Sequence, residues 1–361
     1  MNQIIRPSYL LIFFLFINCS KQNSDNNLFK NDWKENELRG KVKSFEEASY
    51  IAEDSFGIIK KKYKNTSSKI IPKKIIFNQN GQMIEKVYYK KYNDKTGSRY
   101  VFKYDDSGNL IEKSSFDSKG ILYAKRIYTY NKYGNKISEI KYNDKNDIES
   151  KEVIEYDGRN KISKTEYGSN GKIKNKMLYE YDKDGNRIKY SRYNSNGELV
   201  YKSLSKFDKN GNKIEYLNYG SDGKLKNKNS LIYDRKDSLI EKIYFNYESK
   251  ETQKNKYDKD GNLVESKTIF SDGSVFKETL EYDEFGREIK AILKTTDKSS
   301  MHETGYDKFG NEIFYRYTTE NSIWFKETKY KFDKKNNWIK KTIYKQSVVE
   351  YFIERNIEYF D

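Results

Sequence analysis

Cysteine and histidine each occur once in the 361 residues, and proline twice. A single cysteine rules out an internal disulfide framework, and one cysteine with one histidine rules out a Cys/His zinc site. Apolar residues are scarce as well: hydrophobic types, tyrosine included, make up 35%, against roughly 45–50% in ordinary globular domains. Only one long apolar run exists, Tyr9–Ile17. Aromatic residues are nevertheless abundant, with 34 Tyr and 20 Phe. That abundance excludes simple disorder, in which aromatics are depleted.

The lone cysteine stands beside the lone apolar run. Arg6 precedes Tyr9–Ile17, Cys19 follows, and Ser20–Asn27 is polar. The run is too short for a membrane span of roughly 20 residues and fits the apolar centre of an export signal. The layout resembles a bacterial lipoprotein signal, which implies cleavage before Cys19 and acylation of its thiol. Several acyl chains on one cysteine make a durable tether, where a single chain binds only marginally. The expected organisation is a signal peptide at 1–18, a lipidated N-terminus and flexible tether at 19–37, and one repeat domain at 38–361. The location implied is exported and held to the cell envelope by lipid, so the membrane is the first expected partner.

Beyond the tether, one short pattern, aromatic–Asx–x–x–Gly–Asn, recurs with a period close to 25. Its fifth position is Gly81, Gly108, Gly134, Asn160, Gly185, Gly211, Asp237, Gly261, Gly286, Gly310 and Asn336. Gly, Asn and Asp are the residues that best tolerate positive φ. The second position is Asn78, Asp105, Asn131, Asp157, Asp182 and onward, the preference at the first corner of a type I turn. A hairpin loop built from a type I turn and a G1 bulge needs both features. A looser turn follows about twelve residues later, as in Tyr193-Asn-Ser-Asn-Gly197. Between turns, Ile188 and Tyr190 alternate with Arg187 and Lys189, the period-2 signature of a strand. The pattern predicts an all-β chain with essentially no helix, a long antiparallel β-meander of about eleven two-strand repeats. A sheet of some twenty strands either coils on itself or stands unusually long, and a curling or spiralling sheet is expected. Leu38–Tyr50 and Lys69–Phe77 read as a starting hairpin, and Glu354–Phe360 as a terminal edge strand protected by its charges.

The turn as written in Tyr181-Asp182-Lys183-Asp184-Gly185-Asn186 resembles the YD repeat of the RHS/YD family. The opening Leu38-Arg39-Gly40-Lys41-Val42-Lys43-Ser44 is similar to the start of small, repeat-only bacterial surface lipoproteins of that kind. The resemblance implies architecture rather than chemistry, since fold-level analogy does not fix function.

Candidate chemistry is sparse. Asp182-Lys-Asp184 and Asp258-Lys-Asp260 imitate calcium loops, but the sixth and twelfth places of an EF-hand are filled by Arg187 and Tyr193, and by Leu263 and Ile269. The aspartates recur alike in every repeat, so none is set apart as an acid or base. His302 reads as a surface residue of a strand. No catalytic residue, cofactor or metal ligand is expected, and no enzyme. Lys+Arg number 70 against 54 Asp+Glu, yet the lysines are dispersed, and lysine lacks the bidentate phosphate grip of arginine. Nucleic acid is therefore not an expected partner; the lysines read as the solvated face a wide sheet needs for solubility, with a glycan or envelope polymer as the alternative partner. Tyr142, Tyr167, Tyr193 and Tyr219 recur at the second turn; cross-strand packing that stabilises the sheet is the first reading, and as the alternative they are the candidate ligand-face aromatics that stack on sugar rings. The expected function is a non-catalytic, lipid-anchored envelope scaffold with an interaction surface. The alternatives are a carbohydrate-binding adhesin and a polypeptide-enclosing or toxin-immunity component.

Overall fold

The computed structural model describes residues 31–55, 58–63, 72–89 and 97–361; Cys19 and the signal segment lie outside them. After one helical turn, α1 (Asp32–Glu35), the described chain is strand and turn throughout. The first half comprises β1 (Val42–Ser55), β2 (Ile58–Tyr63), β3 (Lys73–Phe77), β4 (Met83–Tyr89), β5 (Gly97–Tyr104), β6 (Leu110–Phe116), β7 (Leu122–Tyr130), β8 (Lys136–Tyr142), β9 (Ile148–Asp157), β10 (Asn160–Gly168), β11 (Ile173–Tyr181) and β12 (Arg187–Tyr193). The second half comprises β13 (Leu199–Phe207), β14 (Lys213–Tyr219), β15 (Leu225–Tyr233), β16 (Leu239–Asn246), β17 (Thr252–Tyr257), β18 (Leu263–Ile269), β19 (Val275–Tyr282), β20 (Glu288–Lys294), β21 (Ser299–Tyr306), β22 (Glu312–Thr319), β23 (Ile323–Phe332), β24 (Trp338–Lys345) and β25 (Val348–Tyr359).

From β3 onward each strand pairs antiparallel with the next, as the repeat predicts. The expected curling or spiralling sheet is overturned, because the two ends meet. On one side β1 pairs with β3 (Ser44↔Ile76 to Glu47↔Lys73), and on the other it pairs with β25 (Phe45↔Ile357 to Ile51↔Tyr351). Strands β1 and β3–β25 thus form a closed 24-strand barrel, while β2 folds back on the far half of β1. Glu354–Phe360 is correspondingly not a free edge but half of the closing seam. The register shifts at most hairpins, for example between Glu180 and Tyr181 and between Arg192 and Tyr193. Each such bulge adds right-handed twist, and the accumulated curvature brings the ends together.

Apolar burial concentrates at that seam. One cluster joins Leu38, Val42, Phe45, Ile75 and Phe77; a second joins Ala48, Tyr50 and Phe352; a third joins Trp338, Ile343 and Ile353. Elsewhere the wall is one sheet thick, and Ser163, Ser191 and Ser203 are among its buried residues.

Residues 31–39, within or beside the stretch expected as tether, form a strap across one end of the seam. Asn31 caps α1 by accepting the Trp33 N–H. The Asp32 carboxylate accepts the Met83 N–H at 2.6 Å, and the Trp33 indole donates to the Val42 carbonyl at 2.7 Å. On the far side the Arg39 N–H donates to Asn337 Oδ1 at 2.7 Å, and its guanidinium donates to the Asn336 carbonyl. Gly81 is required beneath the strap: its φ is +81°, and a Cβ there would stand 2.8 Å from the Trp33 ring.

Candidate functional site

The repeated turns account for the recurring aspartates. In the Asp182 turn, the Asp182 N–H donates to the Asn186 carbonyl and the Gly185 N–H to the Asp182 carbonyl. Oδ1 of Asp182 accepts the N–H groups of Asp184 (3.0 Å) and Asn186 (2.8 Å), while Oδ2 accepts the Asn186 side-chain amide. Those donors hold the Asp182 carboxyl below its usual range. Asp208, Asp258 and Asp283 likewise accept the N–H four residues on, so the first carboxylate of each calcium-like loop, Asp182 or Asp258, is engaged by N–H donors of its own turn. Positive φ falls on the expected Gly81, Gly108, Gly134, Gly185, Gly211, Asp237, Gly261, Gly286, Gly310 and Asn336. The fourth turn differs. Asn160 opens β10 opposite Asp157, and Gly158 carries the positive φ of a two-residue loop.

The two faces of the wall differ in crowding. Along β12–β20, one face carries Tyr190, Tyr201, Tyr244, Glu278 and Tyr282, whose pKa values burial pushes up before any other cause. The opposite face carries Lys189, Glu215, Lys256, Glu265 and Lys290, each shifted chiefly by its ion-pair partner. Side chains converge on the concave side of a cylinder and splay on the convex side, so the tyrosine face is the inner one.

On the inner face the repeat tyrosines do structural work. Tyr130 donates to the Leu110 carbonyl, Tyr181 to Lys161 and Tyr282 to Leu263, each at 2.8 Å, and Tyr233 to Lys213 at 3.0 Å. Each hydroxyl ties one hairpin to its predecessor about twenty residues back. Where Phe332 replaces the tyrosine, Tyr330 on the same face donates to Glu312 instead. Sequence reasoning missed this ladder; its signal was the preference for Tyr, whose buried hydroxyl needs a partner, over Phe. Farther in, Tyr190 packs between Tyr179 and Tyr201, and Tyr201 joins Tyr216 and Asn218, which bonds Asn227.

Tyr142, Tyr167, Tyr193 and Tyr219 all lie on the outer face, on the alternate strands β8, β10, β12 and β14, as their spacing predicts. Each faces a lysine across the sheet: Lys125, Lys151, Lys176 and Lys202 respectively. The Lys125 ammonium sits 5.0 Å from the centre of the Tyr142 ring, and Lys202 sits 4.6 Å from that of Tyr219. The row is a Lys–Tyr ladder, and its rings are half-buried.

Both faces carry mid-strand ions. Arg126–Glu139 and Lys164–Glu152 pair on the inner face, Lys228–Glu215 and Lys277–Glu265 on the outer. A lipid-spanning barrel presents an outward apolar band, whereas among the described residues the outer face carries these ions in mid-strand. His302 is less exposed than expected: its Nε2 lies 2.7 Å from Glu288 Oε1 and its ring stacks on Tyr315. The Glu288 bond raises its pKa. No cluster of three metal-ligating side chains occurs among the described residues.

No family model and no curated protein matches the chain in sequence. Among solved structures it resembles TcdB2-TccC3 without its hypervariable C-terminal region at 12% identity and a TM-score of 0.32, covering 85% of this chain and 17% of that one. It also resembles a porin-like protein from Bacteroides uniformis at 9% identity and a TM-score of 0.27, covering 88% and 96%. The chain thus spans less than a fifth of the toxin chains it matches. TM-scores this low carry no argument about activity.

Proposed function

We propose that the chain is a non-catalytic, exported protein, tethered to the cell envelope through an acylated Cys19, whose barrel wall is a scaffold and interaction surface. The observation that carries this reading is the sameness of the repeats. The carboxylate turns, tyrosine bonds and ion pairs recur around most of the ring, and His302 with Glu288 and the half-buried Glu278 depart from that pattern. The charged outer face supports attachment by a lipid rather than by insertion of the wall. In cells fed an alkyne fatty acid, the wild-type chain takes up label and sediments with membranes. Cys19→Ala removes the label and releases the protein; label or sedimentation persisting in the variant would overturn the tether.

Closure favours one further reading. A wall that meets itself surrounds an interior, which suits a polypeptide-enclosing or toxin-immunity component. Pull-down from the native host reads it out: a co-purifying polypeptide shielded from protease by the barrel supports it, and a digestible one counts against it.

A further inference from the structure

The register sets lysine beside lysine on four successive strands of the outer face. Lys254 of β17 lies opposite Lys267 of β18, Lys267 opposite Lys277 of β19, and Lys277 opposite Lys294 of β20. With strands about 4.8 Å apart, the row is about 14 Å long. Like charges directly opposite one another destabilise a sheet, and although like-charged neighbours occur elsewhere in this wall, as at Lys113↔Arg126 and Lys331↔Lys340, no other run of them spans four strands among the described residues. Glu139 and Glu152 face each other, but Lys136 bridges them. Arg126 and Lys141 face each other, and each has its own glutamate. In the four-lysine row only Lys277 has a described ion-pair partner, Glu265 at 2.7 Å, which also serves Lys256. Lys254 and Lys294 are exposed.

We propose that this row is a binding site for an acidic polysaccharide, its successive carboxylates lying along the four ammonium groups. The inference builds on the scaffold reading above and adds the partner's chemistry. A single file of evenly spaced cations complements a linear chain bearing regularly spaced anions better than it complements one small anion. The surroundings disfavour nucleic acid. Single-stranded binders supply aromatic platforms for base stacking, whereas Ile269, Val275, Thr279 and Ile292 flank the row on this face, with Phe245 diagonal to Lys254 at one end. No arginine stands in the row to fork onto a phosphate. The unrelieved lysine–lysine repulsion is the cost that a bound polyanion removes.

The test titrates the intact protein at low and physiological salt with oligogalacturonate, with neutral dextran, with oligothymidylate and with anionic vesicles. Four surface contacts, each worth a few-fold, multiply to roughly tenfold or more in affinity. Lys254→Gln/Lys267→Gln/Lys277→Gln/Lys294→Gln therefore loses at least about tenfold for oligogalacturonate. A control of equal charge at exposed turns, Lys145→Gln/Lys183→Gln/Lys209→Gln/Lys236→Gln, changes it by less than about twofold. The single variant Lys267→Gln melts no lower than wild type, because it removes a repulsion, which separates lost binding from lost folding. Equal losses in the two quadruple variants, no binding by the wild type at low salt, or tighter binding of oligothymidylate or vesicles than of oligogalacturonate would each overturn the site. Membrane tethering that persists in Cys19→Ala would overturn the lipid anchor alone and leaves this row untouched.

Discussion

Arg355 in the last strand places its Nε 2.9 Å from Glu47 Oε2 in the first strand, across a separation of 308 residues. Both side chains are 7% exposed. The guanidinium carbon stands 3.4 Å from the centre of the Trp338 ring, and Lys73 of β3 reaches the same glutamate from the other flank at 3.2 Å. The three strands that close the barrel therefore share one carboxylate. Burial lowers the Arg355 pKa, and Glu47 works against that shift.

Breaking a buried pair by removing one partner typically costs about 3–5 kcal/mol, because the other charge stays buried. Arg355→Ala should destabilise the barrel by about that much in denaturant titration. Truncation after residue 347 should do worse: it strips β25 and leaves β1 and β24 as long unpaired edges, which template aggregation. Size-exclusion chromatography reads out the second effect. A monomeric, fully stable truncation would show that closure contributes nothing.

Two glycines with the same backbone should differ in what they tolerate. Gly185 has φ +83° and nothing within 4 Å of an added Cβ, whereas Gly81 has φ +81° and the Trp33 ring at 2.8 Å. Gly185→Ala should cost about 1–2 kcal/mol, the strain of a left-handed alanine. Gly81→Ala should cost more and should blue- or red-shift Trp33 fluorescence as the strap lifts. Equal costs would detach the strap from the seam.

The tyrosine ladder predicts a smaller effect. Tyr181→Phe deletes a 2.8 Å bond to the Lys161 carbonyl and keeps the ring. The loss should be about 0.5–1.5 kcal/mol, measured by thermal melting. No loss would mean that water replaces the hydroxyl without cost.

Acid should unfold the turns in concert. The carboxyls of Asp105, Asp182, Asp208, Asp234 and Asp283 all lie below the ordinary value of 3.8, held there by N–H and amide donors. A folded pKa below the unfolded one gives stability that is complete above the unfolded value and disappears as pH falls through the folded value. The melting temperature should therefore be insensitive to these groups above about pH 5 and fall below about pH 4. Asp182→Asn should weaken the dependence while keeping the turn, since Asn131 already accepts two N–H groups in the same way. A melting curve unchanged down to pH 3 would contradict the sign.

Strands, turns and most positive-φ sites were legible because each is decided within a few residues. The Asp182 carboxylate and Gly185 are three positions apart, and φ is a property of one residue. The fourth turn misled because Gly158 and Asn160 both permit a loop, and only strand pairing selects the shorter one. Closure was not legible, since Glu47 and Arg355 give no sign of each other along the chain and the curvature that unites them is summed over every bulge. The lysine row is hidden for a similar reason. Lys254, Lys267, Lys277 and Lys294 follow no fixed spacing, and only the cross-strand register aligns them.

An open ladder grows longer when a unit is duplicated, but a ring grows wider. Because β25 must return to β1 with Phe45 opposite Ile357, gaining or losing one unit would change the bore and demand that the terminal strands still meet. Copy number in this molecule is therefore a dimension of its shape, and a change in it would be accepted or rejected at the join rather than at the unit that was copied.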